Sequence, residues 1–161
     1  MQPIIRYFSF DDVTASQGWD LLSWCRSHGA DDFSLTALVS PVESGRMKAF
    51  FARLDVYSKS SAVRHQLAAA PGEAAQRDTR LWRLTEQTEA ILRESWGVGF
   101  VSNEYDVDLW LEDLAVYRAG DLMMGVVSHE NGGVLRLTEL ELSELRQSSF
   151  PDRDSIPWIG F

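Results

Sequence analysis

Three apolar-alternating runs near the C-terminus, broken by two short turn signals, constrain this chain most. Residues 103–118, 121–128 and 133–137 read as strands, joined at "RAGD" and "HENGG". Strands this close in sequence pair antiparallel, because a parallel connection needs a crossover of a dozen or more residues. The dipeptide Asn131-Gly132 predicts a type I′ hairpin turn, whose two central residues both need positive φ. A meander of this kind buries one face only if something packs on it.

That cover is predicted from helical segments on either side. Residues 15–28 carry Leu21, Leu22, Trp24, Cys25 and His28 at helical spacing, behind a capping box in which Thr14 caps and Gln17 reaches back. Gly29 closes the helix, since glycine tolerates the left-handed conformation. A second capping box, Thr138 with Glu141, starts a final helix bearing Leu140, Leu142 and Leu145. A short helix over 62–70 contains His65, and a longer one over about 73–96 carries Leu81, Leu84, Thr88, Ile91, Leu92 and Ser95 as its buried stripe, ending at Gly97 and Gly99.

The N-terminal run 4–10, "DFSLTALVS" (32–40) and "MKAFFARLDVY" (47–57) read as further strands, the last two joined through "PVESGR". In 47–57 the residues Phe50, Ala52, Leu54 and Val56 alternate with Arg53, Asp55 and Tyr57, a pattern that predicts a sheet with one wet side. The expected fold class is α+β: one domain over residues 1–161, with helices packed on one side of a mostly antiparallel sheet of five to six strands. The tail 148–161, with two prolines and Trp158, is expected to be docked, flexible or presented to a partner.

Composition supports an ordinary globular chain, 45% hydrophobic and 24% charged over 161 residues. The single cysteine, Cys25, excludes an intrachain disulfide. The N-terminus is unlike a signal peptide. The longest clean apolar run, "LMMGVV", is too short to span a bilayer. These features predict a cytoplasmic protein. The net charge is −9, placed unevenly. Residues 1–100 hold 12 acidic and 11 basic side chains, whereas residues 101–161 hold 12 and 4. Such an acidic part argues against nucleic acid and anionic membranes as partners, and suits a basic protein.

The densest acidic stretch is "SNEYDVDLWLED", residues 102–113. Read as a strand, it places Glu104, Asp106, Asp108, Trp110 and Glu112 on one face, with Tyr105, Val107, Leu109 and Leu111 on the other. A carboxylate ladder with an embedded Trp suits a basic protein partner, Trp158 supplying a second anchor. The same face could instead be solvated, or begin a shell for a hard cation, although same-face strand residues stand about 7 Å apart, wide for one ion.

Other chemistry-bearing residues are sparse. Cys25 and His28 form an i, i+3 pair with no further cysteine to complete a structural zinc site, so packing or helix capping is the expected role. "SHENGG" contains Ser128, His129 and Glu130, the residue types of a nucleophile, base and orienting acid. On a strand, however, neighbours point to opposite faces and form no relay among themselves. No phosphate-binding glycine loop is present, and no cofactor is expected. The expected function is a small binding or regulatory protein. An enzyme or carboxylate metal site built around His129, Glu130 and the 104–112 strand is the alternative, and a homodimer is compatible with either.

Overall fold

The computed structural model describes residues 4–11, 13–37, 45–59, 80–96, 99–101, 109 and 111–148, and of Ala37 and His129 only the backbone. In chain order the elements are β1 (Ile5–Asp11), α1 (Ala15–Ser27), β2 (Asp32–Ala37), α2 (Gly45–Asp55), β3 (Arg80–Arg83), α3 (Glu86–Ser95), β4 (Leu111–Arg118), β5 (Asp121–Val127), a 3-10 turn (Ser128–Glu130), β6 (Gly132–Thr138) and α4 (Glu139–Gln147). The six strands form one sheet in the order β1-β6-β5-β4-β2-β3, antiparallel throughout. The expected α+β fold and the C-terminal meander followed by a helix are both present.

Local chemistry sets the helix ends. Thr14 accepts from the Gln17 amide at 3.3 Å while its own amide donates to Gln17 Oε1 at 2.9 Å. Thr138 and Glu141 repeat this at 3.2 Å and 2.7 Å. Each box satisfies two of the amides that a helix start leaves without partners. Gly29 takes φ 88° just beyond α1, in its expected closing role.

Two segments depart from the sequence expectation. Residues 47–57, expected as a strand, belong mostly to α2. Met47, Phe50, Phe51 and Leu54 are buried, the i, i+3, i+4, i+7 set of a helix, whereas Ala52 and Val56 of the alternating set are exposed. Both periods fit this short sequence, and packing decides between them: Phe51 lies 5.7 Å from the ring of Trp82. The expected helix from 73 to 96 is, within the described residues, a strand and a shorter helix. Thr85 caps α3 with Thr88 as its reciprocal partner, so helix geometry begins only at Glu86. Leu81 and Trp82 precede that cap, and β3 pairs with β2, setting Trp82 opposite Phe33. Residues 62–70, including His65, lie outside the described residues.

The turns exchange roles. Arg118 pairs with Asp121, and the two residues between them, Ala119 and Gly120, have φ of 51° and 84°, the positive pair of a type I′ turn. At the second connection the 3-10 turn is closed by left-handed Asn131 at φ 54°, while Gly132 already pairs with Val127 and Asp11. The type I′ turn expected at Asn131-Gly132 is therefore at Ala119-Gly120. An L-residue in the left-handed region carries a cost of roughly 1–2 kcal/mol, which glycine's larger unfolded-state entropy partly offsets. Ala119→Gly is expected to stabilise the fold by about 0.5–1 kcal/mol. A urea midpoint below that of the wild type would contradict the turn assignment.

By register, Phe8, Phe10, Leu135, Leu137, Met124, Val126, Val116, Phe33 and Trp82 share one sheet face. These buried residues join α1, α2, α3 and α4 in one core. Polar side-chain pairs link the helices side by side into a layer: His28–Glu144 joins α1 to α4, and the ion pairs Arg26–Glu89 and Arg53–Glu94 join α1 to α3 and α2 to α3. The opposite face carries Asp32, Ser34, Ala115 and Tyr117. Each is buried, so the centre of that face is not the wet surface expected of it. No helix among the described residues is long and apolar enough to cross a membrane.

Candidate functional site

Most of the acidic ladder, Glu104, Asp106, Asp108 and Trp110, lies outside the described residues, as does Trp158. Its last member, Glu112, is described, and it is not solvated. It sits in β4 opposite Thr36 and is 7% exposed. Of the strand expected over 103–118, the described part is β4, Leu111–Arg118, with Leu109 in a turn before it. Asp113 adopts φ 51°, and the β2–β4 register shifts between Ser34 and Thr36. This bulge interrupts the simple alternation from which the exposure of Glu112 was expected. Leu109 and Leu111 are buried, as the apolar face requires.

In "SHENGG", Ser128–Glu130 form a 3-10 turn and the two glycines open β6. Ser128 is 2% exposed, and its hydroxyl donates to the Phe100 carbonyl at 3.1 Å while accepting from the Asp113 amide at 3.0 Å. The Ser128 amide returns a bond to Asp113 Oδ1 at 3.2 Å. These bonds tie the bulge of β4 to the end of β5, a structural use of the hydroxyl. Glu130 is exposed, and the His129 side chain lies outside the described residues.

Cys25 and His28 are likewise engaged in the fold. Cys25 is fully buried, and burial pushes its thiol up to about 12, which keeps it protonated and unreactive. His28 sets Nδ1 at 2.8 Å from the Trp24 carbonyl and Nε2 at 3.1 Å from Glu144, with its ring stacked on Trp24 at 3.9 Å. Nδ1 is thus held within α1, and Nε2 joins the C-terminal end of α1 to α4. Among the described residues no three His, Cys, Asp or Glu side chains group as a metal site.

Two polar clusters are buried, which residue type alone does not signal. In the first, Glu89 on α3 is 6% exposed and receives Ser23 Oγ at 2.5 Å, Arg26 Nε at 2.9 Å and Arg93 Nη2 at 2.9 Å. Burial alone would raise its carboxyl, but these three donors outweigh it and hold the group below the ordinary glutamate range. The arrangement is satisfied on every side and joins α1 to α3. In the second, on the face opposite the helices, Asp32 Oδ2 pairs with Lys59 while Oδ1 is buried without a partner. Beside it Ser34 and the Tyr117 hydroxyl share a 3.1 Å hydrogen bond. Burial raises the Tyr117 phenol, so it stays protonated. The alternation Asp32, Ser34, Thr36 in "DFSLTA" marks this polar row in the sequence, but polarity alone reads as exposure. Chemically the row offers one free acceptor, Asp32 Oδ1, and no nucleophile with an adjacent base.

The remaining described acids of the C-terminal part are largely paired. Glu139 meets Arg6 at 2.9 Å, Glu141 meets Arg118, Glu144 meets His28, and Asp121 meets Arg136 at 3.0 Å. No protein-family model, curated protein or solved structure matches this chain.

Proposed function

We propose that this chain is a binding or regulatory protein that engages a basic protein partner through the acidic segment Glu104, Asp106, Asp108 and Trp110, with Trp158 as a second anchor. The charge distribution carries this reading: residues 101–161 hold 12 acidic side chains against 4 basic. Three of those acids form ion pairs with arginines on or beside α4 and the meander, Glu144 meets His28, and Glu112 is buried in β4. Of the seven other acids in this part, Glu104, Asp106 and Asp108 stand within five residues of one another in sequence, the densest group. Clustered carboxylates speed encounter with a positive surface, and a neighbouring Trp supplies a desolvated contact. Commitment of Ser128, Cys25 and His28 to internal packing and hydrogen bonds supports binding over catalysis.

The competing reading places an enzyme or carboxylate metal site around His129, Glu130 and the 104–112 strand. The internal bonding of Ser128 and the burial of Glu112 take two of its groups. The deciding experiment is capture from the native host lysate at physiological salt by wild type and by an Asp106→Lys, Asp108→Lys variant. The expected result is a basic protein held stoichiometrically by the wild type and lost by the variant, with unchanged circular dichroism. Equal capture by both proteins would reject the assignment.

A further inference from the structure

We infer that His28 is a proton-operated clamp: its doubly protonated ring holds the end of α4 to α1, and its neutral ring lets that end go. A neutral imidazole has one N–H and one bare nitrogen, whereas the imidazolium has two N–H groups. Here both ring nitrogens face acceptors. Nδ1 stands 2.8 Å from the Trp24 carbonyl, and Nε2 stands 3.1 Å from the Glu144 carboxylate. The Ser27 hydroxyl lies 3.1 Å from Nδ1 but donates to the same Trp24 carbonyl at 2.8 Å. Only the imidazolium satisfies both of the ring's contacts.

The setting suits a cation. His28 caps the C-terminal end of α1, where the helix dipole presents partial negative charge, and its ring is stacked on the electron-rich face of Trp24. Among the described residues, the charged groups around it come from three elements. From α4 come Glu144 at the ring and Glu141 one turn earlier, from β4 Arg118, and from α1 Arg26. Arg118 donates to the His28 carbonyl at 3.2 Å and pairs with Glu141, while Arg26 pairs with Glu86 and Glu89 of α3. Both arginines keep their charge. Burial alone would raise the Glu141 carboxyl, but Arg118 and Thr138 hold it below the ordinary glutamate range. Of these residue types, histidine is the one whose charge ordinarily changes between about pH 5 and 8.

The two nitrogens do not release a proton equally. Nδ1 keeps its own, because the Trp24 carbonyl has no hydrogen to give, so the neutral ring is bare at Nε2. A lone pair then faces the carboxylate, and that contact is repulsive. Glu144, whose side chain is 47% exposed, turns to water. Leu142 and Leu145 are buried and keep α4 seated, so the change is local to the end of the helix, from which the chain continues toward Trp158. The contact is present while the ring is charged and is lost as pH rises. It stands apart from the acidic segment and does not depend on that segment's binding a partner.

The test is NMR of the isotope-labelled full chain, titrated from about pH 5 upward until the ring is neutral. Long-range proton–nitrogen spectra show which ring nitrogens carry protons, with His28→Gln identifying the ring by its missing signals, and amide spectra follow α4. The charged ring is expected to be protonated at both nitrogens and the neutral ring at Nδ1 alone. The amides of Glu144 through Gln147 are expected to shift with the same midpoint as the ring. In Glu144→Gln the side-chain amide can accept from a protonated Nε2 or donate to a bare one, so the ring still titrates but the shift of α4 is lost. Both positions are partly exposed, so the variants are expected to fold, and circular dichroism checks this. Four results overturn the proposal: a ring already neutral at the start, a neutral ring protonated at Nε2, α4 amides that stay still while the ring titrates, or an undiminished α4 shift in Glu144→Gln.

Discussion

Replacing Gly133 with alanine is expected to destabilise the fold by about 3 kcal/mol, at the upper end of overpacking costs. A Cβ there would stand 2.3 Å from the Gly125 carbonyl oxygen and 2.7 Å from the ring of Phe10. The carbonyl belongs to β5, whose register with β6 is fixed through Met124–Leu135 and Gly125–Val134, so it cannot retreat without breaking the ladder. Phe10 is 4% exposed and has no room to turn away. The control is Gly45→Ala at the start of α2, where a Cβ meets nothing within 4 Å. Urea unfolding of the two variants provides the comparison. A Gly133→Ala midpoint equal to that of Gly45→Ala would mean that β5, β6 and β1 do not approach as described.

Removing the carboxylate of Glu89 is the second large effect. Glu89→Ala strips the shared acceptor from Ser23, Arg26 and Arg93 and is expected to cost about 3 kcal/mol, the low end for breaking a buried pair, because both arginines remain partly exposed to water. The same group sets a pH dependence. Its folded carboxyl lies below the ordinary glutamate value of 4.5, so its contribution is fully present above that value and is lost as pH falls through the lower folded one. Glu141 acts with the same sign: burial alone would raise its carboxyl, but Arg118 and Thr138 hold it low. Wild-type stability is therefore expected to decline below about pH 4.5, and Glu89→Gln to flatten part of that decline. Urea midpoints measured across the glutamate range check this. A variant whose acid limb is as steep as the wild type's would remove Glu89 from the account of acid sensitivity.

What was legible in the sequence follows from how local each signal is. The capping boxes at Thr14 and Thr138 are complete within four residues, and both form as read. The meander is nearly as local, since each strand pairs with the next. Residues 47–57 fit both a two-residue and a helical period, and only the contact of Phe51 with Trp82, a residue far along the chain, decides between them. The Thr85 cap was open to reading as well, but Leu81, Leu84 and Thr88 imitate a helical stripe across it. At the site, polar type is visible in sequence and burial is not. Glu112 was read as part of an acidic strand face, and nothing in the residue type of Asp32 or Glu89 signals burial, yet all three are buried. The bulge at Asp113 was equally hidden, because a left-handed aspartate leaves no mark on an alternating pattern.

The most direct measurement is carbodiimide cross-linking of the captured partner to this chain, with the linked peptides identified by mass spectrometry. Links from partner lysines to Glu104, Asp106 or Asp108, and none to Glu139, Glu141 and Glu144, which already have side-chain partners, are the expected result. Links concentrated on α4, with the 104–108 segment left unmodified, would contradict the assignment of the acidic segment as the binding surface.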